Sequence, residues 1–548
     1  MIKKNFRRIL LLLVLSYVFF MLGNGIMSLT SPDEVFYVQT AKEMARHNTW
    51  LTPYLFGAPQ FEKPVLLYWL LRITFVIFGI SSFSARFFPA LFAAIGVIAV
   101  YFLSLLGFRN EKKAFIVSLV LMSSGFYVGL ARTVFTDMVF SVFILLSLLS
   151  FFWGYSVEKN KGPGISLFFF FSALAVLTKG PLGILLPFLI VVSFLFIRKE
   201  LKYPFCKYSL WGIFIFVAVA VPWYLFMINK YGSAFIGEFF YNDHFRRFIE
   251  AEHAGNDKWY FYPFATIGCI FPWSLYAVAS LVYLFLNLRK NALPIHVFLA
   301  CWIGIVFAVF QSAHSKLTSY VFPFFPALAM ITGDFIYEKI TLKSYRRIFY
   351  GISLAMVFIL MSLPLVLAVF LLKYPSYLSN RVPVYAFCLL FSIFIFTVLF
   401  FILRRALLKA IYLFAFSIPV LLLLVPFIHK EIEPYLSSKD ACEYLLRNYK
   451  VENSILCSKT FARGVRYYTD KEVAIVNPYG KNFFSPHPIP FLDDDVKLRD
   501  FLKKHSVTYC ILRKSSIDDV KRAVFNHGDF TLLKIIGNEY IVKIEYRS

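Results

Sequence analysis

The feature that most constrains this chain is a series of apolar stretches of roughly 20 residues recurring from the N-terminus to about residue 428. A hydrocarbon core of about 30 Å needs a helix of that length, and lipid offers a backbone amide no partner, so each stretch reads as a spanning helix. Spans fall at 9–29, 84–107, 112–131, 135–155, 165–178, 181–197, 209–229, 260–288, 292–311, 317–337, 349–373, 382–403 and 408–428, about 13 in all. Composition excludes an ordinary soluble protein. Only 16% of residues are charged and 59% are hydrophobic, whereas soluble domains carry about 25% charged residues. The net charge of +25 would suggest nucleic acid in a soluble chain. Here basic cytoplasmic loops account for much of it, and no nucleic-acid partner is expected.

Basic residues set the orientation. The N-terminus holds Lys3, Lys4, Arg7 and Arg8. The even loops hold Arg109/Lys112/Lys113, Lys159/Lys161, Arg198/Lys199/Lys202/Lys207, Arg289/Lys290, Lys339/Lys343/Arg346/Arg347 and Arg404/Arg405/Lys409. Each is a short basic cluster, as cytoplasmic loops are. The N-terminus is therefore predicted in the cytoplasm, and an odd span count places the C-terminal tail outside. Residues 3–23 mimic a secretory signal but are followed by no A-x-A-like cleavage site, so they read as an uncleaved first helix. In the first outer loop, 30–83, the apolar run 65–80 is broken by Arg72 and reads as an interfacial helix.

The expected fold class is mainly α: a polytopic membrane domain over 1–428 with a small soluble α/β domain over 429–548. In the tail, strand-like runs (SILCS, EVAIVN, VTYCILR, EYIVKIEY) alternate with helix-like runs (DDDVKLRDFLKKH, SSIDDVKRAVFNHG). The seven cysteines form no C-x-x-C pair. Cys269, Cys301 and Cys388 lie in apolar runs as packing residues, and Cys442, Cys457 and Cys510 leave room for at most one disulfide.

Chemistry-bearing residues collect in the odd loops. Loop one has Asp33, Glu34 and Tyr37, then "FEKP" with Glu62 and Lys63, and Arg86 where the second span begins. Loop three is "ARTVFTD" with Arg132 and Asp137, and loop five is "LTKGPLG" with Lys179. Loop seven, 230–260, carries His253 and "DKWYFYPF"; loop nine, "QSAHSKLTSY", carries His314, Lys316 and Tyr320. Two carboxylates beside several cations suit a phosphate-bearing substrate, because Lys and Arg neutralise phosphate oxygens. A carboxylate there can act as base, metal ligand or partner of a substrate ammonium. A metal is an option where Glu62 and His253 converge. Each residue also has a plain structural role open to it. Ser31-Pro32-Asp33-Glu34 fits the S-x-x-E capping box with Pro32 at the first helical position. Arg132 and Asp137 could pair only with each other.

Together, "SPDEVFYVQTAKEM", "LTPYLFGAPQFEKPVLLYWL", "ARTVFTD", "LTKGPLG", "DKWYFYPF" and "HSKLTSYVFPFFPAL" resemble the aminoarabinose transferases that modify lipid A. These are members of the dolichyl-phosphate-mannose-protein mannosyltransferase-like superfamily with the GT-C fold. The resemblance covers most of residues 30–335. It implies a monomeric, multi-pass bacterial inner-membrane enzyme with a periplasmic tail. Its reaction would be an inverting transfer of a sugar from undecaprenyl phosphate to a lipid A phosphate, with no nucleotide cofactor. Carried over by motif, Asp33 is the catalytic carboxylate and Glu62 a second acid that resembles a zinc ligand partnered by His253. Lys63, Arg132, Lys179 and Tyr320 would hold donor phosphate, with Asp137 orienting neighbours; Tyr37, Arg86 and Lys316 complete the candidate substrate-binding set. Thr318 stands where the pattern expects proline. Other readings are a transferase of another sugar to protein or glycan, a lipid or sugar transporter, and a sensor with a membrane anchor. A transporter would place its ionisable residues near the midplane rather than in loops.

Overall fold

The computed structural model describes residues 2–250, 257–288, 293–341, 346–373, 380–476, 488–525 and 527–547. It divides into two compact units: 1–24 with 86–427, and 25–85 with 428–548. The segment 25–85, which holds the predicted first loop, thus groups with the tail.

In the membrane unit, eight described helices are long and apolar enough to cross a bilayer, or eleven when three bent pairs each count as one span. The bent pairs answer to the predicted spans 112–131, 260–288 and 408–428, the last running on to Leu436, with angles of 66°, 119° and 53°. Phe261–Cys269 and Ser274–Leu288 flank a break that contains Pro272, a residue that cannot donate to the helical ladder. The count stops short of about 13 at two further segments. Leu182–Arg198 has 17 residues. The first helix, Ile2–Ser16, continues through a π-turn only to Met21, well before the predicted end at 29. The helix from Lys207 runs past its predicted end to Phe235, with a kink at Gly232, where φ is +54°. A side chain would oppose that conformation.

Two close helix contacts shape this unit. The antiparallel helices Thr136–Ser156 and Lys161–Lys179 approach where a Cβ on Gly164 would meet the Gly154 Cα at 2.7 Å. Small residues allow backbones this near each other in lipid, and polar side chains then bridge them. Ser147 Oγ donates to the Phe168 carbonyl at 3.0 Å and lies 2.8 Å from Ser172 Oγ. The second contact, between Glu111–Met122 and Phe325–Thr341, involves Gly333 against the Val117 backbone. There Lys113 is buried and donates to Asp334 at 2.5 Å and Glu338 at 2.7 Å. One member of the Arg109/Lys112/Lys113 cluster is therefore an internal tie.

In the loop-and-tail unit, the helix Asp33–Arg46 leads to a short hairpin of β1 (Tyr54–Leu55) and β2 (Ala58–Pro59). The helix Leu66–Phe78 follows. Arg72 in that helix is buried, donating to the Thr49 carbonyl with its guanidinium 3.8 Å from the Trp50 ring. The tail supplies β3 (Ile455–Ser458), β4 (Val473–Val476), β5 (Phe491–Leu492), β6 (Val507–Leu512), β7 (Gly528–Ile536) and β8 (Glu539–Tyr546). Their order is β5-β4-β3-β6-β8-β7, parallel from β5 to β6 and antiparallel through β8 and β7. Alternation along β6 sends Cys510 to a core with Leu498 and Val520, and Ile511 to one with Leu445 and Val465. Helices thus cover both faces, as a parallel sheet requires. Cys442, Cys457 and Cys510 are buried free thiols, so none forms a disulfide.

Candidate active site

The loop-and-tail unit carries the acids. Its first helix begins at Asp33, with Pro32 at the cap position rather than inside the helix. Glu34 is fully buried and accepts from Thr30 N at 3.0 Å and Thr30 Oγ1 at 3.1 Å. The capping partner is therefore Thr30, one residue earlier than the Ser31 predicted from the S-x-x-E match. A helix that starts one position later puts Glu34 within reach of Thr30. Asp33, next door, is exposed.

Glu62 sits in a turn tied by its own backbone. Its N–H donates to Gln60 Oε1 at 2.8 Å, and Gln60 Nε2 donates to the Tyr68 hydroxyl at 2.6 Å. Lys63 Nζ donates to the Glu62 carbonyl at 3.0 Å. The Glu62 side chain lies 3.7 Å from Arg463 of the tail helix Ala462–Thr469. Tyr37 is 7% exposed and packs against Phe36 and Tyr68. His253 lies outside the described residues. Among the described residues no three His, Cys, Asp or Glu side chains gather as a metal site. The group beside Glu62 is the Arg463 guanidinium, and the predicted zinc partner of Glu62 is not among the described residues, so no step below passes through a metal.

The membrane unit carries cations. Asp137 opens the helix Thr136–Ser156 and Lys179 closes the antiparallel helix Lys161–Lys179, so the close packing brings their ends together. Lys179 Nζ donates to Asp137 Oδ1 at 2.6 Å and lies 5.2 Å from the Tyr320 ring centroid. Gly180, with φ of +92°, ends the helix directly after Lys179, and its N–H donates to the Val176 carbonyl at 2.8 Å. Asp137 therefore faces Lys179, not the Arg132 that its loop also offers. Arg132 donates to the Phe19 carbonyl at 3.2 Å. Burial, with neighbouring Arg86, pulls its guanidinium down to about 10, so an anion here would be welcomed. Arg86 is buried and donates to the Asn24 carbonyl at 3.0 Å, while Asn24 Nδ2 returns a bond to the Arg86 carbonyl at 3.3 Å.

Loops seven and nine meet in this unit. His314 N and Ser315 N donate to the carbonyls of Phe248 and Arg247 at 3.0 and 3.2 Å. Lys316, 4% exposed, donates to Asp257 at 3.2 Å, and His314 Nδ1 lies 2.9 Å from the same carboxylate. His314 and Lys316 hold the Asp257 carboxyl below its usual range. Asp257 and Arg463 escaped the sequence reading. Asp257 stands first in the "DKWYFYPF" motif, where the run of aromatics masks it. Arg463 looks like one more charge on an amphipathic surface helix.

The dolichyl-phosphate-mannose-protein mannosyltransferase family matches residues 5–233. An uncharacterised protein of Aquifex aeolicus (strain VF5) is 31% identical over 337 residues, covering 61% of this chain and 74% of that one. An undecaprenyl phosphate-alpha-4-amino-4-deoxy-L-arabinose arabinosyl transferase 2 of Proteus mirabilis (strain HI4320) is 26% identical over 350 residues. That match covers 61% of this chain and 62% of the transferase, so the chain spans under two-thirds of that relative's length. The crystal structure of ArnT from Cupriavidus metallidurans bound to undecaprenyl phosphate superposes with a TM-score of 0.78. It is 18% identical and covers 97% of both chains. The architecture is that of a GT-C membrane glycosyltransferase. The chain belongs to the dolichyl-phosphate-mannose-protein mannosyltransferase family, and within it is similar to the aminoarabinose transferases.

Proposed function

We propose that this chain transfers 4-amino-4-deoxy-L-arabinose from undecaprenyl phosphate to a lipid A phosphate at the periplasmic face of a bacterial inner membrane. The single observation that carries the chemistry is Lys179, fixed by Asp137 in the turn between two packed helices and set beside Tyr320. A cation held this way needs no reorganisation as charge grows on a departing phosphate, which is where electrostatic stabilisation acts most strongly. Arg132 and Lys316 add cations of the same kind. In the proposed step, an acceptor phosphate oxygen attacks the anomeric carbon from the face opposite the leaving oxygen. The bond to undecaprenyl phosphate breaks, and its electron pair stays on the departing phosphate. The acceptor oxygen is already ionised, so no base is needed. Asp33, exposed at the first turn of its helix, steadies the positive charge developing on the sugar.

Mass spectrometry of lipid A from polymyxin-sensitive cells expressing the chain tests this reading. An added aminopentose mass is expected with the wild type and none with Asp33→Asn at equal membrane abundance. Unmodified lipid A in the wild type would move the acceptor to protein or glycan. Full activity in Asp33→Asn would remove that residue from the chemistry.

A further inference from the structure

We infer that Arg463, a residue of the tail, is a positioning residue for Glu62, so that the soluble tail sets the geometry of a first-loop carboxylate. The inference rests on the transferase reading above. Arg463 Nη2 lies 3.7 Å from Glu62 Oε1, with side-chain exposures of 16% and 12%. The same guanidinium lies 4.5 Å from the centroid of the Phe36 ring. Phe36 is one turn along the helix that begins with Asp33. One planar group therefore touches the Glu62 side chain on one side and the Asp33-bearing helix on another. Arginine suits this work because its fork is flat and rigid; lysine would supply charge without the plane.

The contact belongs to a seam. Arg463 and Arg466 are three apart, on one face of the tail helix. Arg466 lies 3.8 Å from Glu43, which also accepts from the backbone of Phe56 and Gly57 at 3.2 and 2.8 Å. At the end of the same helix Asp470 accepts from Lys42 at 3.1 Å and from Arg46 at 3.0 Å. These neighbours fix the tail helix against the first-loop helix, and Arg463 inherits a fixed distance to Glu62. A soluble domain that served only as an appendage would have no reason to aim a guarded cation at "FEKP".

The test is a double-mutant cycle on the purified full chain, with undecaprenyl phosphate-linked aminoarabinose as donor and lipid A as acceptor. Arg463→Gln is expected to lower kcat by about 10- to 100-fold while donor KM stays within about twofold. Arg463→Gln/Glu62→Gln is expected to be no slower than Glu62→Gln alone, because Arg463 acts through Glu62. Arg447→Gln, on an exposed pair with Glu443, should leave kcat unchanged. Multiplied losses in the double variant, or full activity in Arg463→Gln, would overturn the inference while leaving the transferase reading in place. A wild type without transfer would overturn both. Should Arg463→Gln not fold, Arg463→Lys carries the same cycle.

Discussion

Asp33 and Glu34 are neighbours in sequence with opposite surroundings. Glu34 is buried and spends its charge on Thr30, whereas Asp33 faces outward. In the sequence Glu34 already reads as the capping-box acid and Asp33, by motif, as the catalyst; the structure moves the capping partner of Glu34 to Thr30. Glu34→Gln should lower stability by about 1 kcal/mol, since an amide accepts more weakly than a carboxylate. Thermal unfolding in detergent would read this, with kcat unchanged. Lys179 shows what spacing can tell and where it fails. A basic residue in the tight turn "LTKGPLG" stands out against the charge trend of the chain, whose basic loops the sequence reading puts on the other side. Its partner Asp137 lies on another helix, and no local pattern joins them. Asp137→Asn would leave a largely buried ammonium without its counter-charge, a loss of about 3 kcal/mol. It should appear as a lower unfolding temperature together with reduced transfer.

The tail elements were legible because each carries a strong period. The four predicted strands are apolar runs, and the two predicted helices put Leu498/Leu502 and Val520/Val524 on one stripe. The helices Lys439–Asn448 and Ala462–Thr469 and the strand Gly528–Ile536 went unmarked. The two helices are short, at 10 and 8 residues, and the strand buries little of its length. One buried acid in these elements is costly. Glu539 at the start of β8 accepts from Ser438 Oγ at 2.6 Å, but its second oxygen is buried with no partner. Burial raises its carboxyl to about 8 from an ordinary 4.5. The folded tail thus holds a proton that the unfolded chain releases, so this stability is complete below pH 4.5 and drains away between there and 8. At neutral pH the cost is on the order of 3 kcal/mol. Glu539→Gln should therefore unfold at a higher temperature than wild type at pH 7.5 and converge with it near pH 4.5, measured by melting across that range.

For the whole molecule, hydropathy located the membrane segments because lipid leaves a spanning helix little choice of composition. It could not locate bends: an apolar run reads the same whether straight or turned through 119°. Nor could it show that residues 25–85 and 428–548 form one compact unit, since their seam depends on a few charges, Lys42 and Arg46 with Asp470 among them. Asp470 is pulled down to about 2, first by Arg46. Removing residues 429–548 should therefore do more than delete a domain. The first outer loop should become open to limited proteolysis between Asp33 and Phe78, while the membrane helices stay protected.

The two halves of that unit are separated in the chain by nearly the whole membrane unit. At about 5–20 residues per second, a ribosome needs on the order of tens of seconds between making the first outer loop and making its partner. Throughout that interval Glu43 lacks Arg466, and Glu62 lacks Arg463. The loop is therefore an unfinished piece until translation has ended, so assembly closes on the last segment synthesised. A chain cut short anywhere before the tail would reach the membrane with its helices in place and its carboxylates unset, and a prematurely terminated product would be silent rather than wrongly active.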